Sequence, residues 1–120
     1  MNNQESLAYV RKYFDELFGK RNVDALDEYL DPDYFDDDIG DPAMDHIKNS
    51  KEYLKELFRK QPTIGVEVLD AIARDNVISA YLEWYVREND KKRTIRKGVA
   101  ILCLRNQKIF KRHTFIYYAG

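Results

Sequence analysis

A chain of 120 residues, 44% apolar and 34% charged, has the material for one packed core and little room for a second. Its 20 basic and 21 acidic side chains leave a formal net charge of −1, so no overall field draws it toward a nucleic-acid backbone or an anionic lipid surface. The one cysteine, Cys103, excludes an intrachain disulfide and any zinc site built from several thiolates, and its apolar neighbours read as those of a buried, inert thiol. No apolar run approaches membrane-spanning length, and Met1-Asn-Asn-Gln-Glu has neither the charge nor the apolar stretch of a signal peptide. The expectation is a single domain over residues 1–120, located in the cytoplasm and without a membrane partner.

The first half reads as helices. Leu7, Val10, Phe14, Leu17 and Phe18 recur at helical spacing, and Gly19 offers a stop. Asn22 can cap a shorter second helix with Val23, Leu26 and Leu30 on its apolar face, limited by Pro32. Tyr34-Phe35 suggests a very short strand, and the run from Asp36 to Pro42 marks a turn. A third helix is expected around Ser50 to Lys60, with Tyr53, Leu54, Leu57 and Phe58 as its buried stripe and Pro62 closing it.

The second half reads as strands. Val66 to Ala73, Val77 to Glu88, Thr94 to Leu104 and Lys108 to Tyr118 are rich in β-branched and aromatic residues, and the short polar connections between them suit hairpins. Gly98 interrupts its strand where a bulge could bend the sheet. The order predicts an α+β fold: a cone-shaped, cystatin-like roll of three N-terminal helices on a curved, mainly antiparallel sheet, its mouth a natural pocket. Ser79, Tyr81, Glu83 and Tyr85 should face one way, and Ile78, Ala80, Leu82, Trp84 and Val86 the other. Both sets are largely apolar or aromatic, which predicts a homodimer formed through the sheet.

The segment from Val10-Arg-Lys-Tyr13 through Gly19-Lys-Arg-Asn-Val-Asp24 to Leu30-Asp-Pro-Asp-Tyr-Phe-Asp-Asp37-Asp-Ile-Gly40, with the element order, resembles the nuclear transport factor 2-like superfamily. The resemblance is to its SnoaL-like and ketosteroid-isomerase-like branch and spans nearly the whole chain. It implies Asp37 as a proton-shuttling base and Tyr13 as the phenol that stabilises an enolate. In that family the base is followed by Pro, whereas Asp38 follows here. The family's second donor, a protonated aspartic acid on a late strand, falls near Ala100, where no side chain donates, and one such donor is worth about a hundred- to a thousandfold in rate. The last strand lacks the aspartate that epoxide-hydrolase relatives pair with an arginine, while His113 matches loosely the acid or histidine of polyketide cyclases.

Each candidate also has a structural reading. Asp37, in an acidic stretch from Asp31 to Asp45, is either a tuned base or part of a solvated turn. That stretch lacks the spacing of an EF-hand, and no metal or organic cofactor is expected. Tyr13 is either a donor to a ligand or a core phenol bonded to backbone. Tyr81, Glu83, Tyr85, Arg112 and Thr114 are the remaining candidates for lining a pocket. Only one of Arg112 and His113 can face inward; an inward Arg112 could pair with Glu83 or Asp37, and an outward patch with Lys111 is the alternative. The function these features suggest is binding of a small hydrophobic molecule, with carboxylate-mediated proton transfer of isomerase or cyclase type. The alternative is a non-catalytic binding or dimerisation module of the same fold.

Overall fold

The computed structural model describes residues 1–120. Asn2 caps the first helix, α1 (Asn3–Phe14), by accepting from the Glu5 amide at 2.8 Å, while the Glu5 carboxylate accepts from the Asn2 amide at 3.2 Å. The helix then widens into a π-helical segment, Asp15–Gly19, where the Lys20 amide donates back to the Asp15 carbonyl at 2.8 Å. Leu17 and Phe18 on this segment are both buried. Gly19 closes it where any Cβ would collide with the Asp15 side chain. The second helical element is slight: a 3-10 turn, Val23–Ala25, followed by one α-helical turn, α2 (Leu26–Tyr29).

Strand β1 (Leu30–Asp36) is longer than the Tyr34-Phe35 pair foreseen, and Pro32 lies inside it. Pro is tolerated because β1 is an edge strand that pairs on one side only, with its register interrupted between Leu30 and Phe35. Helix α3 (His46–Lys60) begins earlier than Ser50 because Asp45 caps it, accepting from the Lys48 amide at 3.1 Å. Strands β2 (Gly65–Arg74), β3 (Val77–Glu88), β4 (Lys91–Arg105) and β5 (Lys108–Ala119) follow. The last two hairpins turn through Asn89-Asp90 and Asn106-Gln107, all four at positive φ, which is the two-residue geometry that matches the twist of the sheet. That tight turn lets β4 start at Lys91, three residues before the expected Thr94.

The sheet has five strands in the order β1-β5-β4-β3-β2, antiparallel throughout except for the parallel β1–β5 pair. It is therefore mixed and mainly antiparallel, with the helices on one face, as expected. The irregularity foreseen at Gly98 is present, since the β4–β5 register shifts between Lys97 and Gly98 and a Cβ there would collide with the Phe115 carbonyl. Ile78, Ala80, Leu82, Trp84 and Val86 of β3, with Ala100, Leu102 and Ile109, pack under Val10, Tyr13, Phe14, Leu17 and Leu26 in one core of 23 buried residues. On the other face Ile72, Tyr81, Phe115 and Tyr118 stay exposed, with Val99 and Ile101 half-buried between them. Arg105 ties β4 to β1, donating to Asp31 at 2.7 Å and Asp33 at 3.2 Å. No helix is long and apolar enough to cross a membrane.

Leu102 is fully buried at the centre of this core. Its replacement by Ala should cost about 2–5 kcal/mol in denaturant unfolding, whereas Phe115→Ala on the outer face should cost the isolated chain far less.

Candidate functional site

One cavity of about 440 Å³ lies between the helices and the inner face of the sheet. Phe14, Leu17, Leu54, Leu57, Trp84 and Ile116 form much of its apolar wall. Tyr13, Tyr34, Asp36, Ser50, Arg112 and Thr114 supply polar atoms. Pairing places these polar groups together. Strand β1 runs parallel to β5 with Asp36 opposite Arg112, and the Asp37 amide donates to the Arg112 carbonyl at 2.9 Å. Alternation then sends Asp36 and Arg112 toward the helices and their neighbours Asp37, Lys111 and His113 away from them.

The acidic turn is held by its own side chains. Asp36 Oδ1 accepts from the Asp38 amide at 2.9 Å, and its Oδ2 makes no hydrogen bond. Asp38 reaches back to β5, one oxygen accepting from the Thr114 amide at 2.9 Å and the other lying 2.8 Å from His113 Nδ1. Beneath the turn the buried His46 accepts from the Asp36 amide through Nδ1 at 3.2 Å. Its Nε2 faces the Asp41 carbonyl at 2.7 Å and must donate, which assigns the neutral Nε2–H tautomer. The ring also packs on Phe35, 4.6 Å between centroids.

Tyr13 is almost completely buried, with edge-on contacts to Phe14 and Tyr29 at 5.1 Å. Burial pushes its phenol up from the ordinary value, only partly offset by the Arg112 guanidinium beside it. Burial likewise raises Tyr34, which neighbours Ser50. For Arg112 burial opposes the charge, but the surrounding Tyr13, Tyr34, Asp36 and Asp38 more than restore it, and the guanidinium stays protonated. The polar end of the cavity thus combines neutral phenols, a fixed cation and a carboxylate.

Of the sequence candidates, Tyr13, Arg112 and Thr114 line the cavity. Asp37 does not: its carboxylate turns outward to Lys111, 3.5 Å away, while Asp36 and Asp38 on either side of it line the chamber. Tyr81 and Glu83 lie on the sheet face opposite the helices, where Glu83 pairs with Lys97 at 3.7 Å. Tyr85 belongs to a separate open groove with Arg11, Arg21 and Arg87. Arg112, rather than His113, points inward, and its Nε donates to Thr114 Oγ1 at 3.0 Å instead of to Glu83 or Asp37. Ala100, where a second donor was sought, is fully buried. Trp84, Tyr34, Ser50 and Asp36 escaped the sequence reading. The available signal was the alternation that set Trp84 opposite Tyr81 on β3.

The family model described as the SnoaL-like domain matches residues 10–112. The chain belongs to the SnoaL-like domain family. It thereby falls within the nuclear transport factor 2-like superfamily, and solved structures repeat the SnoaL-like fold. A SnoaL-like polyketide cyclase from Agrobacterium tumefaciens str. C58 is 15% identical, with a TM-score of 0.72 over 97% of this chain and 92% of its own. TsrD from Streptomyces laurentii is 11% identical, with a TM-score of 0.74 over 98% of this chain and 92% of its own. At such identities the likeness is one of fold. No curated protein matches the chain by sequence.

Because burial raises the phenols of Tyr9, Tyr13, Tyr29 and Tyr34, the folded SnoaL-like chain holds these protons more tightly than the unfolded one. Their contribution to stability is intact below about pH 10 and falls as the pH rises above it. In an alkaline titration followed by tyrosinate absorbance, Tyr13→Phe should remove one member of the late, unfolding-coupled set. An unchanged late set would place Tyr13 in contact with solvent.

Proposed function

We propose that this SnoaL-like chain binds a small, mostly apolar molecule in the central cavity and moves a proton on it, as an isomerase or cyclase would. The observation that carries this reading is the meeting of Asp36, whose Oδ2 is unengaged, with the neutral phenol of Tyr13 at one end of an apolar chamber. Asp36 takes a proton from a carbon next to a ligand carbonyl, and Tyr13 donates a hydrogen bond to the enolate oxygen that forms. Returning the proton to another carbon isomerises the ligand. Attack of the enolate carbon on a second carbonyl closes a ring, and the Agrobacterium polyketide cyclase of the same fold lends support to that variant. The role assigned to Asp37 by resemblance passes to Asp36, which borders the chamber with a free carboxylate oxygen. Asp37 turns to Lys111 instead, and both oxygens of Asp38 are engaged by His113 and the Thr114 amide.

Mass spectrometry of the natively purified protein identifies any small molecule it carries, and that molecule can be returned to it in deuterated water. Asp36→Asn should slow deuterium uptake at carbon by about a hundred- to ten-thousandfold, and Asp37→Asn should leave it near wild type. Loss of exchange in Asp37→Asn alone would move the base outward. A bound ligand that never exchanges would make the protein a binding module.

The same reading includes a second copy of the chain packed on the outer sheet face, since Ile72, Tyr81 and Phe115 expose a contiguous apolar surface there. Sedimentation should find a dimer that Phe115→Lys with Tyr81→Lys converts to monomer. A wild-type monomer at micromolar concentration would exclude this assembly.

A further inference from the structure

Arg112 holds a charge that the proton transfer above does not use. Its Nε donates to Thr114 Oγ1 at 3.0 Å, and the Tyr13 hydroxyl lies beside the guanidinium. No carboxylate oxygen comes within 4.0 Å of it, so Asp36 and Asp38 border the same chamber without forming an ion pair with it. Asp38 is occupied by His113 and the Thr114 amide, and Asp36 Oδ1 by the Asp38 amide. Apart from Thr114 and the Tyr13 hydroxyl, the guanidinium N–H groups have no partner on the protein. They are not stranded in dry packing either, because the one buried, partnerless side-chain polar atom in the chain is Arg21 Nη1. They therefore open onto the cavity.

We infer that the pocket selects ligands carrying an oxyanion on an apolar skeleton, with Arg112 as the anchor for the negative group. This rests on the central cavity being the binding site, as proposed above, and it narrows the class of molecule bound there. The physical reason is desolvation. An apolar ligand that fills the chamber expels the water satisfying a cation that cannot lose its proton, so a skeleton without acceptors leaves those donors unpaired. A carboxylate or sulfonate matches the planar fork of a guanidinium with two parallel hydrogen bonds. The rest of such a molecule lies along Phe14, Leu17, Leu54, Leu57 and Trp84, and the volume of about 440 Å³ suits a skeleton of a few rings or a medium chain. Arg96, 5.6 Å from the Trp84 ring and also on the wall, adds a second positive charge.

Two probes with the same ring skeleton separate charge from shape: anilinonaphthalene sulfonate and its neutral counterpart phenylnaphthylamine. Trp84 is the chain's one tryptophan and lines the cavity, so a probe seated in this chamber quenches its emission. Wild type should bind the sulfonate at least about tenfold more tightly than the neutral probe. Arg112→Gln should reduce that preference to near parity while still binding the neutral probe. Should that variant fail to fold, displacement of the neutral probe from wild type by an alkyl carboxylate, and not by the matching alcohol, carries the same information. Equal affinity of wild type for the two probes, or a preference that survives Arg112→Gln, would overturn the anchor and leave the cavity reading intact. Failure of both probes to quench Trp84 would overturn the cavity reading, and the anchor with it.

Discussion

The parallel register of β1 against β5 is the constraint on which the site depends. By setting Asp36 opposite Arg112 it fixes, for Phe35 and Asp36 and for every residue from Lys111 to Thr114, which side of the sheet its side chain meets, and it launches the turn from Asp37 onward. A slip of one residue would exchange Asp36 for Asp37 and Arg112 for Lys111 or His113, and the chamber would lose its candidate base and its guanidinium together. The structure secures this edge more than once. Arg105 bridges to Asp31 and Asp33 at one end, while Asp38 bonds to His113 and the Thr114 amide at the other. His46, packed on Phe35, holds the Asp36 amide from below.

The chamber exists because the helices do not fill the space above the sheet. Ala80 and Ala100 sit side by side in the buried core, while the large side chains of Trp84, Tyr13 and Phe14 line the open volume. Shifts of register in β4, at Gly98 and again near Cys103, interrupt the flat ladder in the two strands that floor the cavity. The core and the site are thus made from one set of aromatic side chains. Tyr13 belongs to both, since its ring packs against Phe14 and Tyr29 and its hydroxyl lies beside Arg112.

Much of the fold was legible because its signals are local. Alternation on β3 separated Leu82 and Trp84 from Tyr81 and Glu83, and the polar connections Asn89-Asp90-Lys91-Lys92 and Asn106-Gln107 announced hairpins. What alternation cannot say is which face the helices cover, because both faces of β3 carry aromatics; of the pocket candidates there, Tyr81 and Glu83 lie on the face away from the helices and Tyr85 lines the separate groove. The acidic turn posed the complementary problem. Asp36, Asp37 and Asp38 are chemically identical, and the choice among them follows from pairing with a strand some seventy-five residues later in the chain. Arg112 and His113 were undecided for the same reason. Tyr13 was legible because helical spacing set it beside Val10 and Leu17, and the family likeness pointed to the same residue.

The parity of the acidic turn is open to direct measurement by placing single thiols at Asp36 and at Asp37 in a Cys103→Ser background. With Asp37 turned to solvent, its cysteine should react with a polar thiol reagent at close to the rate of a free thiol. The cysteine at Asp36 should react far more slowly, and a quencher attached there should dim Trp84 across the cavity. The reverse order, with the Asp37 position protected and the Asp36 position freely labelled, would contradict the register and the site built upon it.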